Sequence, residues 1–366
     1  MSDNPNHGIG LEEDLVDRSN DRHDHVRCVA VTSALLLVAA TAPAQSPIPS
    51  VPADSVWRQA ISAAPVAADS ASVIQWLDAQ GGWGSGDMRI DFSIEVLHAD
   101  GATPFLNFIP TGNFFDPDCD HVPVPVPAGG ALEGEDGYEC SGGDCHLLVV
   151  HDPTATLYEM WTADITEGVF SGGCLAVWNL EALYPPEGRG EQCTSADAAG
   201  FPIAPLLISP DEVAAGSIDH ALRFILPNPR MRKDVYVRPA SHAGGPSGPA
   251  TAVPYGSRLR LRPDYPLETL SNEAARTIAR AMQTYGIVLA DGGTIALTAQ
   301  SDRFTAATWD ALGIVSYSLA DLQVTDFEII DTGPTIALTY NCVRSHPILL
   351  DGFELGDLSR WSASPP

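Results

Sequence analysis

Hydrophobic and polar positions alternate with a period of two over much of this chain. "RIDFSIEVLHA" (89–99), "CHLLVVHD" (145–152), "TLYEMWTAD" (156–164), "DHALRFIL" (219–226), "DVYVRPA" (234–240) and "RLRLRP" (258–263) show that alternation or a short apolar run. Each predicts a strand, and "IVLAD" after Gly286 predicts another. Two segments follow a helical period instead. "DSASVIQWLDAQGG" predicts a short helix capped by Asp69 or Ser70 and stopped by Gly81. "NEAARTIARAMQTYG" predicts a longer one, capped by Ser271 or Asn272 and ended by Gly286. Gly- and Pro-rich loops separate the strands, notably 127–144. The pattern over 56–335 predicts a single β-rich α+β domain, sandwich- or barrel-like, with a few helices.

The two ends read differently. Val29–Ala40 is a 12-residue, predominantly apolar run, too short for a membrane span of about 20 residues. Arg27 precedes it and Ala42-Pro43-Ala44 follows, so residues 1–44 read as a secretory signal with a long, acidic n-region. Residues 45–55 are a Pro-rich linker, and residues 336–366 a C-terminal tail. Location is therefore expected to be extracellular or periplasmic, as a monomer without membrane insertion.

Cleavage after residue 44 leaves 40 acidic residues against 16 basic, a net charge of −24. Such a surface repels phosphate backbones, which argues against nucleic acid as a partner. The single lysine, Lys233, lies in a polar turn and excludes Schiff-base chemistry. Six cysteines remain, an even number that reads as disulfides in an exported chain. Cys174 and Cys193 bracket a Gly/Pro-rich loop and are expected to pair.

Several familiar motifs are missing: G-x-S-x-G, H-E-x-x-H, the Walker loop and G-x-G-x-x-G. "DPDCDH" begins like a calcium loop with Asp116, Asp118 and Asp120. His121 then replaces the turn glycine and Pro127 the bidentate glutamate. No cofactor is expected; a structural calcium or a His-bound metal is the alternative.

Glycosidic hydrolysis needs two carboxyl groups of separated pKa across a cleft. Glu159, Asp197, Asp211 and Glu212 are the candidates. Glu159 lies beside Tyr158 and Trp161, whose rings suit sugar faces, and Asp197 lies among small residues that leave room for a substrate. Asp211 in "SPDEV" also fits a helix start. Arg223 and His220 fall on opposite faces of a regular strand. Arg258, Arg260 and Arg262 share a face and call for internal acidic partners, although they would also suit a uronate.

"TSADAAGFPIAPLLISPDEVAAGSIDHALRF", "YVRPASHA", "YGSRLRLRP" and "YGIVLADGG", with "CHLLVVHDPTATLYEMW" upstream, resemble a large family of secreted bacterial and fungal proteins without a firmly established activity. The resemblance runs from about Val56 to Asp331. Members are often joined to sugar-binding modules, which implies a polysaccharide or cell-wall glycan as partner. This chain has Cys145, Arg238 and Ser241 where the family usually has Arg, Trp and Arg. The resemblance also places histidines at 146, 220 and 242, a trio that could ligate a metal or serve as bases and sugar contacts. The expected function is polysaccharide hydrolysis by Glu159, Asp197 and His220, with His146, Tyr158, Trp161, Asp211 and His242 binding substrate. The alternatives are a non-catalytic glycan-binding module and a polysaccharide lyase using His or Tyr with Arg.

Overall fold

In the computed structural model, which describes residues 47–345, most of the alternating segments form two principal sheets. The 234–240 segment contributes only the end of Met231–Tyr236, which pairs with Val253–Tyr255 and Ile336–Ala337 in a separate sheet. The signal segment lies outside the described residues. The larger sheet has six strands in the order Ile90–Ile94, Leu297–Gln300, Leu222–Leu226, Ile287–Gly292, Arg258–Leu261 and Phe327–Ile329, with mixed parallel and antiparallel pairing. The smaller has four: Leu175–Asn179, Thr156–Met160, Leu147–His151 and Leu97–Ala99. The domain is β-rich α+β, as the periodicity predicts. Both strand orders are open-ended, so neither sheet closes into a barrel.

Strand periodicity decides what each sheet buries. In Leu222–Leu226, the side chains of Leu222, Phe224 and Leu226 join the main core, while Arg223 and Ile225 line a cleft on the other face. Leu147–His151 is apolar on both faces. Leu147 and Val149 enter one cluster and Leu148 and Val150 another, which explains its continuous run rather than alternation. Segment 89–99, expected as one strand, is two. Ile90–Ile94 belongs to the large sheet and Leu97–Ala99 to the small one, so this stretch ties the sheets together.

Both predicted helices form, as Ser70–Ala79 (α1) and Glu273–Thr284 (α3); a third, Pro210–Ala215 (α2), is one and a half turns long. Asn272 caps α3 by accepting the Ala275 amide at 2.8 Å. Ala275, Ile278, Ala279 and Met282 then bury one face in the main core. Two of the three arginines of the row are internal, whereas Arg262 lies beyond the strand and is exposed beside Asp264. Arg258 donates to the carbonyls of Tyr285, Val56 and Gln59, and Arg260 pairs with Glu328. These contacts strap the chain before α1 onto the sheet, and neither arginine faces the cleft.

Three expectations are corrected. Cys174 and Cys193 are not partners: the disulfides are Cys119–Cys174, Cys140–Cys145 and Cys193–Cys342. The Asp120 amide donates to Leu175 O at 2.8 Å, which sets Cys119 beside Cys174. Gly190–Glu191 pairs with Val343–Arg344, which sets Cys193 beside Cys342. The tail therefore does not begin at 336, because the chain is folded through this pairing. The linker is not free either. Pro47 O meets His98 Nε2 at 2.9 Å, and Ile48 and Val51 pack against the apolar clusters.

Candidate active site

The cleft-facing side of the large sheet carries Arg223, Ile225, Thr298, Asp91 and Asp291. Around it stand the loop of Phe114–Asp118, Glu133, His146 with Trp161, the corner Thr194–Ala198, and His242 with Tyr340. Together they enclose about 890 Å³, within the range of ligand sites. The corner contributes Thr194, Ser195, Ala196 and Ala198. It is fixed by backbone contacts: Ala199 N donates to Ala290 O at 2.9 Å and Ser241 N to Ala199 O at 3.1 Å.

Asp197 itself turns away from the cleft. It is fully buried and receives Arg223 Nε at 2.9 Å and Nη2 at 3.1 Å. Arg223 Nη1 donates to Thr298 Oγ1 at 2.6 Å, and Nη2 lies 3.5 Å from Asp291 Oδ2. Burial would depress the guanidinium, but Asp197 more than compensates and holds it above its ordinary range. The charge of the arginine is thus already paired.

Asp291 is placed by a register shift. Phe224 pairs with Leu289 but Ile225 with Asp291, so Ala290 is an extra residue that re-aims the acid. The side chain keeps 27% of its surface exposed, enough to be reached from the cleft. Burial, reinforced by the like charge of Asp197, pushes its carboxyl up to about 7 against the opposing pull of Arg223. Glu133 behaves oppositely. Burial would raise it, but His146 outweighs burial and holds the carboxyl below its usual value.

His146 and His242 differ in protonation. His146 Nδ1 lies 2.6 Å from Glu133 Oε2 and Nε2 3.2 Å from Ala196 O, so both nitrogens donate. Burial opposes that charge, yet Glu133 pushes the imidazolium up to about 9. His242 Nδ1 lies 2.9 Å from Ala198 O, which can only accept. Nδ1 therefore carries the hydrogen and Nε2 keeps its lone pair. Burial holds His242 below the ordinary histidine value, hence neutral near pH 7.

The remaining expected site residues are elsewhere. Glu159 is fully buried: Oε1 accepts the Ile203 and Ala204 amides at 2.8 Å and Oε2 accepts Trp178 Nε1 at 3.0 Å. It joins the small sheet to the 203–207 segment and is not among the cleft residues. His220 contacts Ala221 O and Glu212 Oε2, and Asp211 accepts the Ala306 and Ala307 amides; neither reaches the cleft. Tyr158 packs into an apolar cluster, whereas Trp161 does face the cleft and donates to Asp144 Oδ1 at 2.5 Å.

A His146–His220–His242 metal site does not fit this arrangement. A metal needs a lone pair from each ring, His146 offers none, and His220 lies outside the cleft. The 116–120 loop is a poor calcium cradle as well, because Asp120 already holds Arg189 at 2.6 Å and Arg344 at 2.8 Å. No family model, curated protein or solved structure matches the chain.

Proposed function

We propose that this protein is an exported polysaccharide hydrolase, with Asp291 as general acid and Glu133 as the ionised partner. One observation carries the reading: two carboxyl groups with opposite pKa displacements face the same cleft. That separation is what lets one acid protonate a leaving glycosidic oxygen while the other acts as base or nucleophile at the sugar carbon. Burial and the like charge of Asp197 keep Asp291 protonated, and His146 keeps Glu133 ionised. Trp161, Phe114 and Phe115 offer ring faces for sugar stacking. The secretory signal read in the sequence and the three disulfides support export, and the resemblance to secreted proteins joined to sugar-binding modules supports a polysaccharide.

Lyase chemistry is less well served. It needs a free cation to neutralise a uronate, and the charge of Arg223 is already balanced by the bidentate contact with Asp197. The test is a panel of polysaccharides incubated with the purified protein. New reducing ends without ultraviolet-absorbing unsaturated products are the expected result. Unsaturated products would establish a lyase, and retention of polymer without cleavage a binding module.

A further inference from the structure

The charge balance of the cleft points to a particular substrate class, and this inference rests on the polysaccharide reading above. The two cations facing the cleft, Arg223 and His146, are already paired with Asp197 and Glu133. Asp91, Asp116, Asp118 and Asp144 also line it, and among the described residues none of the four has a cationic partner. Such a wall repels polyuronates and sulfated chains and attracts cations.

Two acceptors give the attraction an address. Asp118 and His242 are each only 9% exposed, yet both line the cleft. Asp118 Oδ2 accepts the Thr194 amide at 2.8 Å, while Oδ1 has no hydrogen-bond partner among the described residues. His242 Nε2, the lone-pair nitrogen, has none either. Neither atom is among the buried unpartnered polar atoms, so both open acceptors are reached from the cleft, where a ligand can donate to them. A neutral hydroxyl supplies one donor, whereas an ammonium supplies three and neutralises the aspartate. Phe115, 45% exposed, stands three residues before Asp118 and offers a face for the ring that carries the amine.

We propose that Asp118 and His242 form a subsite for the ammonium group of an amino sugar, and that the substrate is a polysaccharide with free amino groups. Calorimetric titration with glucosamine oligomers, their N-acetylated counterparts, neutral glucan oligomers and oligogalacturonate tests this at about pH 6, where the sugar amines are protonated and the uronate carboxyls are ionised. Glucosamine oligomers should bind at least about tenfold more tightly than the acetylated ones, and the advantage should shrink as salt rises. Asp118→Asn should remove most of that advantage while leaving neutral oligomers unaffected. Asp116→Asn, at an exposed position that the fold does not use, should reduce it in part, so the idea stays testable if the first variant does not fold. Equal binding of acetylated and free oligomers, or preference for oligogalacturonate, overturns the subsite but leaves the hydrolase reading standing. Binding of nothing on the panel overturns both.

Discussion

Asp197 and Asp291 share one arginine but differ in what they can do. Asp197 spends both oxygens on Arg223 in a dry interior, whereas Asp291 makes one long contact with it, accepts the Gly292 amide at 2.6 Å and stays reachable. Asp291 must be protonated to act as an acid, so kcat/KM should fall as pH rises through about 7. The acid-side decline belongs to Glu133 and should lie below the ordinary glutamate value. Asp291→Asn should remove the alkaline limb; a profile that keeps it would assign the limb to another group. His146 contributes a separate dependence on stability. Its folded pKa of about 9 lies above the unfolded 6.5, so the stabilisation is complete below 6.5 and is lost as pH rises through 9. The shift corresponds to about 3 kcal/mol. Denaturant titrations of the wild type between these pH values should show that decline, and His146→Gln should flatten it.

The corner at 194–201 depends on Gly200 for its shape. Its φ is +78°, and a Cβ there would sit 2.1 Å from Ser241 Oγ and 2.7 Å from Cys193 O. Gly200→Ala should therefore destabilise by about 1–3 kcal/mol, from left-handed strain and from the displaced contact. A thermal melt unchanged by the substitution would show that the corner relaxes easily. This corner also marks how far sequence patterns reach. "DHALRFIL" and "NEAARTIARAMQTYG" gave a strand and a helix because burial of one face imposes a visible period. The alternation placed Arg223 on the cleft face, but His220 lies before the strand, which begins at Leu222, so its position owes nothing to that period. The bulge at Ala290 left no such trace, and it is what aims Asp291. Glu133 was equally hidden, in an aperiodic loop held by its contact with His146. Acids beside aromatic residues drew attention to Glu159, but the same apolar surroundings buried it beyond a substrate's reach.

At the scale of the molecule, long-range closures define the fold. The Cys193–Cys342 bond spans 149 residues and locks Val343–Arg344 beside the strand that precedes the corner. Loop entropy gives such a crosslink about 5 kcal/mol, so Cys342→Ser should lower the melting temperature far more than loss of the five-residue Cys140–Cys145 loop. Comparable losses in the two variants would contradict that assignment. Spacing alone could not find this pairing, because strand addition near the end of the chain brings the two cysteines together. The location of chemistry is the larger question, and it separates two sets of carboxylates: Asp291 and Glu133 in the cleft, Glu159 and Asp197 in the interior. The most direct measurement is kcat of folded Asp291→Asn and Glu159→Gln, side by side with the wild type on the best substrate of the panel. A loss of about 100-fold or more for Asp291→Asn with an unchanged melting temperature is expected, and near-normal turnover with lowered stability for Glu159→Gln. Full activity in Asp291→Asn, or a stable but inactive Glu159→Gln, would place the chemistry outside this cleft.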